Sequence, residues 1–138
     1  MPAPNRPLPA PDALTQPFWD AAAQRRLVMQ RCGDCGHYAS PPAPVCERCG
    51  SDKLDWQPVS GRGRVYSYTT NYQKSVAGFE EVVPYVNLVV ELQEQPLLLL
   101  IGDLIDEDAS WLRIGAPVEV VFAPLAEGLL LPQWRAVR

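Results

Sequence analysis

Residues 31–50 read RCGDCGHYASPPAPVCERCG and contain every cysteine of the 138-residue chain. The cysteines form two Cys-x-x-Cys pairs, and a glycine follows each pair. A Cys-x-x-Cys turn brings two sulfur atoms onto one metal ion, and two such turns complete the tetrahedral thiolate shell that zinc accepts. The spacing therefore predicts a structural zinc ribbon over residues 30–57, with the ligands Cys32, Cys35, Cys46 and Cys49.

Iron is the main alternative metal, because the same four-thiolate spacing serves rubredoxin-type electron transfer. His37 lies close to the first cysteine pair. We do not expect it to be a ligand, since four cysteines already complete the shell. A closed site of this kind has no open position that could activate water, so we expect the metal to clamp a segment with too little apolar content to fold alone.

The start of the chain, MPAPNRPLPAPDALTQ, carries five of the fifteen prolines and no apolar periodicity. This composition predicts an extended or disordered arm over residues 1–16. No charged start precedes an apolar stretch, and no run of eighteen apolar residues occurs, so neither a secretory signal nor a transmembrane helix is predicted. We expect a cytoplasmic protein, in which the thiols stay reduced.

The remaining segments predict a mainly β fold with one helical segment. Residues 17–29 are expected to be helical at least at the start, with Thr15 as the N-cap and Pro17 in the first turn. The alternative for the end of this segment, RLVMQRC (26–32), is a strand that enters the first cysteine pair. Residues 58–138 contain five apolar segments rich in β-branched and aromatic residues, separated by turn residues. Five short strands in this order match a small Greek-key barrel of the oligonucleotide/oligosaccharide-binding (OB) type.

The charge of the chain is uneven and bears on its partners. Residues 1–58 carry six Lys/Arg and six Asp/Glu, whereas residues 59–138 carry six Lys/Arg and ten Asp/Glu, which accounts for the whole net charge of −4. OB barrels bind single-stranded nucleic acid elsewhere, and Tyr66, Tyr68 and Tyr72 could stack bases. Backbone phosphates need a positive surface, so this alternative is disfavoured. We expect these tyrosines in the core or in cross-strand pairs.

The chain has few groups that could catalyse a reaction. His37 is the only histidine, the four cysteines are committed to metal, and no phosphate-binding loop of standard spacing occurs. A protein with this inventory is expected to assist an enzyme rather than to act as one.

The motifs, taken together in their order, identify a family resemblance over residues 17–136. The chain resembles the zinc-ribbon/OB-fold acyl-CoA-associated proteins, domain-of-unknown-function family thirty-five. The resemblance is carried by the paired cysteines with two adjacent prolines between them and by four further motifs: GSDKLDW (50–56), SGRGRVYSY (60–68), RIGAPVEVVF (113–122) and LPQW (131–134).

The resemblance implies an N-terminal helical segment, a rubredoxin-like zinc ribbon and an OB barrel. It also implies a non-catalytic subunit that binds acyl-CoA and complexes with a thiolase-fold enzyme or an enoyl-CoA hydratase. The thiolase-fold partners of the family include thiolase, hydroxymethylglutaryl-CoA synthase and lipid-transfer-protein-like retro-aldolases. The pathways implied are acyl-CoA metabolism and steroid side-chain degradation.

Candidate contacts to the CoA phosphates are Arg62, Arg64 and Lys74, because cationic side chains, and guanidinium groups above all, match phosphate oxygens. The alternative is that they are solvated charges at the edge of the barrel. Phe18 and Trp19 are candidates for contact with an acyl chain or a partner protein. Their alternative role is to pack the helix onto the ribbon.

Overall fold

The structure is a computed structural model that describes residues 12–72, 85–106 and 108–137. These residues form one helix and eight strands, which confirms the predicted mainly β fold. The elements are α1 Gln16–Ala23, β1 Val28–Cys32, β2 Tyr38–Ala39, β3 Leu54–Pro58, β4 Arg62–Asn71, β5 Tyr85–Leu92, β6 Leu99–Asp103, β7 Pro117–Ala126 and β8 Leu129–Ala136.

The helix occupies only the start of the segment 17–29 and ends at Ala23. The alternative strand at the end of that segment is present, since β1 begins at Val28 and runs into the first cysteine pair at Cys32. Thr15 is the N-cap residue, but its hydroxyl makes no capping hydrogen bond. Its backbone is helical rather than extended, and the hydroxyl donates instead to Asp12 Oδ1 at 3.1 Å. In the described part of the chain, no helix has the length and apolarity that a bilayer crossing requires.

The ribbon is a three-stranded antiparallel sheet in the order β2-β1-β3. The barrel is a five-stranded antiparallel sheet in the order β6-β5-β4-β7-β8. It closes through a bridge between Leu104 and Trp134, where the Ile105 amide also donates to the Trp134 carbonyl at 2.9 Å. The barrel interior is apolar and fully buried; its largest side chains are Trp134, Leu88, Leu92, Leu98, Val65, Val90 and Val118.

The ribbon and the barrel share one hydrophobic core. Leu27, Met29 and Tyr38 from the ribbon side belong to the same buried cluster as the barrel interior. Gln95, in the turn between β5 and β6, acts as a clamp because its amide oxygen accepts from the Tyr38 amide at 2.9 Å and its Nε2 donates to the Tyr38 carbonyl at 3.0 Å. The Ser40 hydroxyl donates to the Leu99 carbonyl at 2.7 Å. Packing within the ribbon is therefore coupled to packing within the barrel.

Gly63 lies where the barrel strands approach most closely, opposite Leu92 on β5 and Val118 on β7. A Cβ atom there would overlap the Glu91 carbonyl and lie 2.9 Å from Val90 Cγ1. We expect Gly63→Ala to lower the free energy of unfolding by about 1–3 kcal/mol, because a backbone carbonyl cannot move aside cheaply. Urea titration measures the effect. Ser67→Ala, at an exposed position of β4, is the control; equal midpoints for the two variants would contradict the prediction.

Candidate metal centre and ligand pockets

The structure brings the four predicted cysteine ligands together. The Cys32 and Cys49 sulfurs are 3.6 Å apart, as are the Cys35 and Cys46 sulfurs, and all four lie within 4.8 Å of one another. A tetrahedral zinc ion at about 2.3 Å from each sulfur would place the sulfurs about 3.8 Å apart. The donor set therefore fits one tetrahedral ion, and because all four positions are thiolates, that ion would be structural.

The two halves of the site are built in the same way. In each half the amide of the residue after the second cysteine donates to the carbonyl of the first, from Gly36 at 2.9 Å and from Gly50 at 2.8 Å. Both glycines have positive φ values, 79° and 77°, which other residues rarely adopt. The Cys35 and Arg48 amides each donate to a cysteine sulfur at 3.4 Å. The glycine after each pair therefore adopts the backbone angles that the turn needs to direct its amide N–H groups toward the carbonyl and sulfur atoms of the cysteines.

His37 lies beside this centre but outside the group of sulfur atoms. Its Nε2 is 3.1 Å from Glu47 Oε1, and the described metal-ligating cluster contains the four cysteines alone. The geometry does not distinguish zinc from iron, since both accept four thiolates in a tetrahedron.

The first thiol of each pair is acidified by the turn that follows it. The backbone amide of Cys35 lowers the pKa of Cys32 to about 6, and the backbone amide of Cys49 lowers the pKa of Cys46. An amide N–H that donates to sulfur favours the thiolate over the thiol. These two cysteines are also the buried ones.

The second thiol of each pair holds its proton more tightly. The Ser51 amide lowers the pKa of Cys49, but the Cys32 thiol, burial and the other thiols raise it by more, to about 12. The His37 amide lowers the pKa of Cys35, but burial and the Cys46 thiol outweigh it, so the pKa is raised. A metal ion that takes all four thiolates must therefore displace the protons of these two groups.

Zinc affinity is expected to increase with pH. Between about pH 7 and pH 8, Cys35 and Cys49 carry protons in the metal-free chain, so binding releases at least two protons. The apparent affinity should then rise by at least about 100-fold per pH unit, because each released proton contributes a factor of ten. Competition with a chromogenic chelator at several pH values measures this slope. An affinity that is independent of pH would contradict the prediction.

Arg62 and Arg64 lie close together on β4, and both line a cavity of about 600 Å³. We call it the arginine pocket. Glu91 lines the same cavity, so the local charge from these three side chains is +1. The third candidate, Lys74, lies outside the described residues. Both arginines are exposed, and the geometry is compatible with an anionic ligand as well as with solvated charges.

Phe18 and Trp19 line a second cavity of about 500 Å³ between the helix, the ribbon and the barrel. We call it the helix–ribbon pocket. Its apolar walls include Phe18, Trp19, Pro41, Trp56, Val89 and Ile101. Sequence reasoning missed Trp56, Val89 and Ile101 as neighbours of the helix. No local signal marks them, because each lies in a different element and only the fold brings them together.

The three tyrosines of β4 and its end are exposed, not buried. Tyr66 is 46%, Tyr68 41% and Tyr72 73% exposed. Tyr68 does lie opposite Leu88 in the sheet, but the expectation of a core position is wrong. The reason is that β7 pairs with β4 only at residues 62–64, so the second half of β4 has β5 on one edge and none of the described strands on the other.

Comparison with known protein families gives two matches that together span the ribbon and most of the barrel. Residues 19–55 match the family described as "ChsH2, rubredoxin-like zinc ribbon domain". Residues 56–123 match "ChsH2, C-terminal OB-fold domain".

Among curated proteins, the chain is 38% identical to the probable enoyl-CoA hydratase alpha subunit of Thermomonospora curvata over 94% of its own length and 40% of the relative. It is 32% identical to the 3-oxo-4,17-pregnadiene-20-carboxyl-CoA hydratase alpha subunit of Mycobacterium tuberculosis, over 81% of this chain and 37% of the relative. The chain thus spans about two fifths of the length of these two relatives.

Two solved structures show the same fold. A chain of the Ltp2-ChsH2(DUF35) aldolase is 36% identical, with a TM-score of 0.83 over 94% of this chain and 98% of that one. A DUF35-family protein of unknown function from Sulfolobus solfataricus is 15% identical, with a TM-score of 0.61 over 91% and 86% of the two chains, which shows the fold alone.

A third curated relative is comparable in length to this chain. It is a DUF35 domain-containing scaffold protein of Pyrococcus furiosus, 33% identical over 77% of this chain and 78% of the relative. With the cysteine tetrad, the ribbon and the barrel in the same order, this chain belongs to the DUF35/ChsH2 family of zinc-ribbon and OB-fold proteins.

Proposed function

We propose that this chain is a non-catalytic scaffolding subunit that binds acyl-CoA and complexes with a thiolase-fold enzyme or an enoyl-CoA hydratase. The observation that carries the proposal is the similarity of this chain to a chain of the Ltp2-ChsH2(DUF35) aldolase. The similarity covers 98% of the length of that chain. The proposed setting is acyl-CoA metabolism or steroid side-chain degradation, since one relative is named for a pregnadiene-carboxyl-CoA substrate. The proposed compartment is the cytoplasm, where thiolates stay available to the metal.

The placement of the reactive side chains supports a role without catalysis. The four cysteines face one another, and His37 is paired with Glu47 at the surface of the ribbon. The thiols and the imidazole of the chain are thus engaged in the ribbon. The chemistry would come from the partner enzyme, and this chain would supply a docking surface and part of the acyl-CoA site.

The partner is identified by capture from lysate of the source organism on the tagged, zinc-loaded chain, followed by mass spectrometry. Recovery of a thiolase-fold enzyme or a hydratase supports the proposal, and acyl-CoA turnover is then assayed for the enzyme with and without this chain. The proposal fails if turnover and substrate affinity of the captured enzyme are the same in both cases.

A second candidate function, single-stranded nucleic-acid binding, is favoured by the exposure of Tyr66, Tyr68 and Tyr72. Charge opposes it, because residues 59–138 carry ten acidic and six basic side chains. Recovery of RNA or ribosomal material in the capture experiment, sensitive to salt, would establish this function instead.

The CoA phosphates are proposed to bind at the arginine pocket. We expect the double variant Arg62→Glu, Arg64→Glu to weaken CoA binding by at least about tenfold at low salt, because a charge-assisted hydrogen bond contributes about 1.5–3 kcal/mol. Calorimetry at two salt concentrations measures it. Arg113→Glu, an exposed arginine that does not line the pocket, is the matched control. If both variants bind CoA with equal affinity, Arg62 and Arg64 are solvated charges that do not contact the CoA phosphates.

A further inference from the structure

We propose that the helix–ribbon pocket holds the hydrocarbon part of the acyl thioester. This inference rests on the proposed function and adds a binding site for the apolar end of the ligand. The pocket has about 500 Å³ of space, which is within the usual range for small-molecule sites.

The walls of the pocket come from three parts of the fold. Helix α1 contributes Phe18 and Trp19, the ribbon contributes Pro41 and Trp56, and the barrel contributes Ile101. The Phe18 ring lies 5.3 Å from the Trp19 ring, edge to face, and 6.3 Å from the Trp56 ring. Contact of aromatic and aliphatic walls of this kind with hydrocarbon instead of water is favourable, because apolar surface is removed from water.

Two hydroxyl groups of the lining are engaged within the chain. The Ser40 hydroxyl donates to the Leu99 carbonyl at 2.7 Å, and the Thr15 hydroxyl bonds to Asp12. Pro41 and Pro42 bring no N–H group. A hydrocarbon chain needs no hydrogen-bonding partners, so this predominantly apolar lining suits it.

The pocket adjoins the arginine pocket across a single pair of residues. Glu91 on β5 lies opposite Leu99 on β6, and Glu91 lines the arginine pocket whereas Leu99 lines the helix–ribbon pocket. The next pair on the same face, Val89 with Ile101, lies entirely within the helix–ribbon pocket. The two arginines lie on the neighbouring strand β4, where Arg64 is opposite Glu91. The arginine pocket and the apolar pocket thus adjoin along β5, which suits a ligand with an anionic part and a hydrocarbon part.

Calorimetric titration with CoA and with straight-chain acyl-CoA esters of increasing length tests the proposal. Each methylene that enters the pocket should strengthen binding by about fourfold until the pocket is full. Ile101→Asp places a carboxylate in the apolar wall at a position that is 69% exposed, where the fold tolerates it. This variant should lose the chain-length dependence and keep the affinity for CoA itself.

Ile114→Asp is the matched control, because Ile114 is 62% exposed and does not line the pocket. The affinity of this control for acyl-CoA esters should increase with chain length as it does for the unaltered chain. If Ile101→Asp and Ile114→Asp show the same chain-length dependence, the pocket assignment is wrong while CoA binding, and with it the proposed function, still stands. If neither CoA nor any ester binds, the acyl-CoA function itself fails.

A photoreactive acyl-CoA with a diazirine at the end of the chain gives a second readout. Labelling of the peptides that contain Pro41 or Trp56 supports the assignment, and labelling elsewhere overturns it. The same experiment with a polycyclic acyl-CoA decides whether the hydrocarbon is a straight chain or a fused ring system. If Ile101→Asp abolishes capture of the partner enzyme and leaves acyl-CoA binding intact, the occupant is a partner side chain and the proposal is overturned.

Discussion

Cys32→Ser is expected to abolish metal binding and to unfold the ribbon, with the bound metal falling from about one ion per chain to below about a tenth. A serine hydroxyl at neutral pH is not a thiolate, so three charged ligands and one neutral oxygen replace the complete shell. Metal content by mass spectrometry and amide exchange of residues 28–58 measure the two effects. Val45→Ser, at an exposed site next to a ligand, is the control and should keep both the metal and the exchange protection.

The loss is expected to extend beyond the ribbon. Leu27, Met29 and Tyr38 belong to the same hydrophobic core as the barrel interior. The side chain of Gln95 also forms hydrogen bonds with the backbone N–H and the backbone carbonyl of Tyr38. The same variant should therefore lose the helix–ribbon pocket and partner capture together. Partner capture by the metal-free variant at full affinity would contradict a shared docking surface.

Trp134→Ala is expected to lower the free energy of unfolding by about 3–5 kcal/mol. Trp134 is 0% exposed and lies at the point where β6 and β8 close the barrel. Its removal leaves a cavity that neighbouring strands cannot fill, since Gly102 has no side chain to contribute. Because small domains are stable by about 5–15 kcal/mol in total, this variant should be close to the limit of folding. Chemical denaturation monitored by circular dichroism measures the effect.

Trp134→Phe separates packing from hydrogen bonding at the same position. Among the described residues, the indole N–H of Trp134 has no hydrogen-bond partner. Phenylalanine fills part of the space and removes this buried donor. Trp134→Phe should therefore lower the free energy of unfolding by much less than Trp134→Ala does. If the two variants were equally unstable, the indole N–H would have to make a contact that stabilises the barrel.

The clustering of the four cysteines was predictable because a Cys-x-x-Cys turn is a local structure. The spacing between cysteines and the glycine after each pair fix the position of two sulfurs over five residues. The strands of the barrel were predictable for a related reason, since their apolar residues alternate with a period of two and turn residues separate them.

Other features depended on contacts that no local pattern records. Gln95 is one glutamine in a polar turn, and its role arises because Tyr38 lies opposite it in space. The exposure of Tyr68 depends on where β7 stops pairing with β4, and Tyr66 lies at an irregularity in the register of β4 with β5. Alternation along one strand indicates neither. The hydroxyl of Thr15 makes no cap because the backbone angles before the helix differ from those of the usual motif.

The sequence by itself indicated the four cysteines as candidate ligands of one metal ion, the mainly β fold and the family. It did so because ligand spacing, strand alternation and motif order are properties of neighbouring residues. Only the tertiary structure decided which arginines face one cavity, and that Phe18, Trp56 and Ile101 share another. Those pockets form where the helix, the ribbon and the barrel meet, and contacts between residues far apart in the chain are set by packing of the whole core.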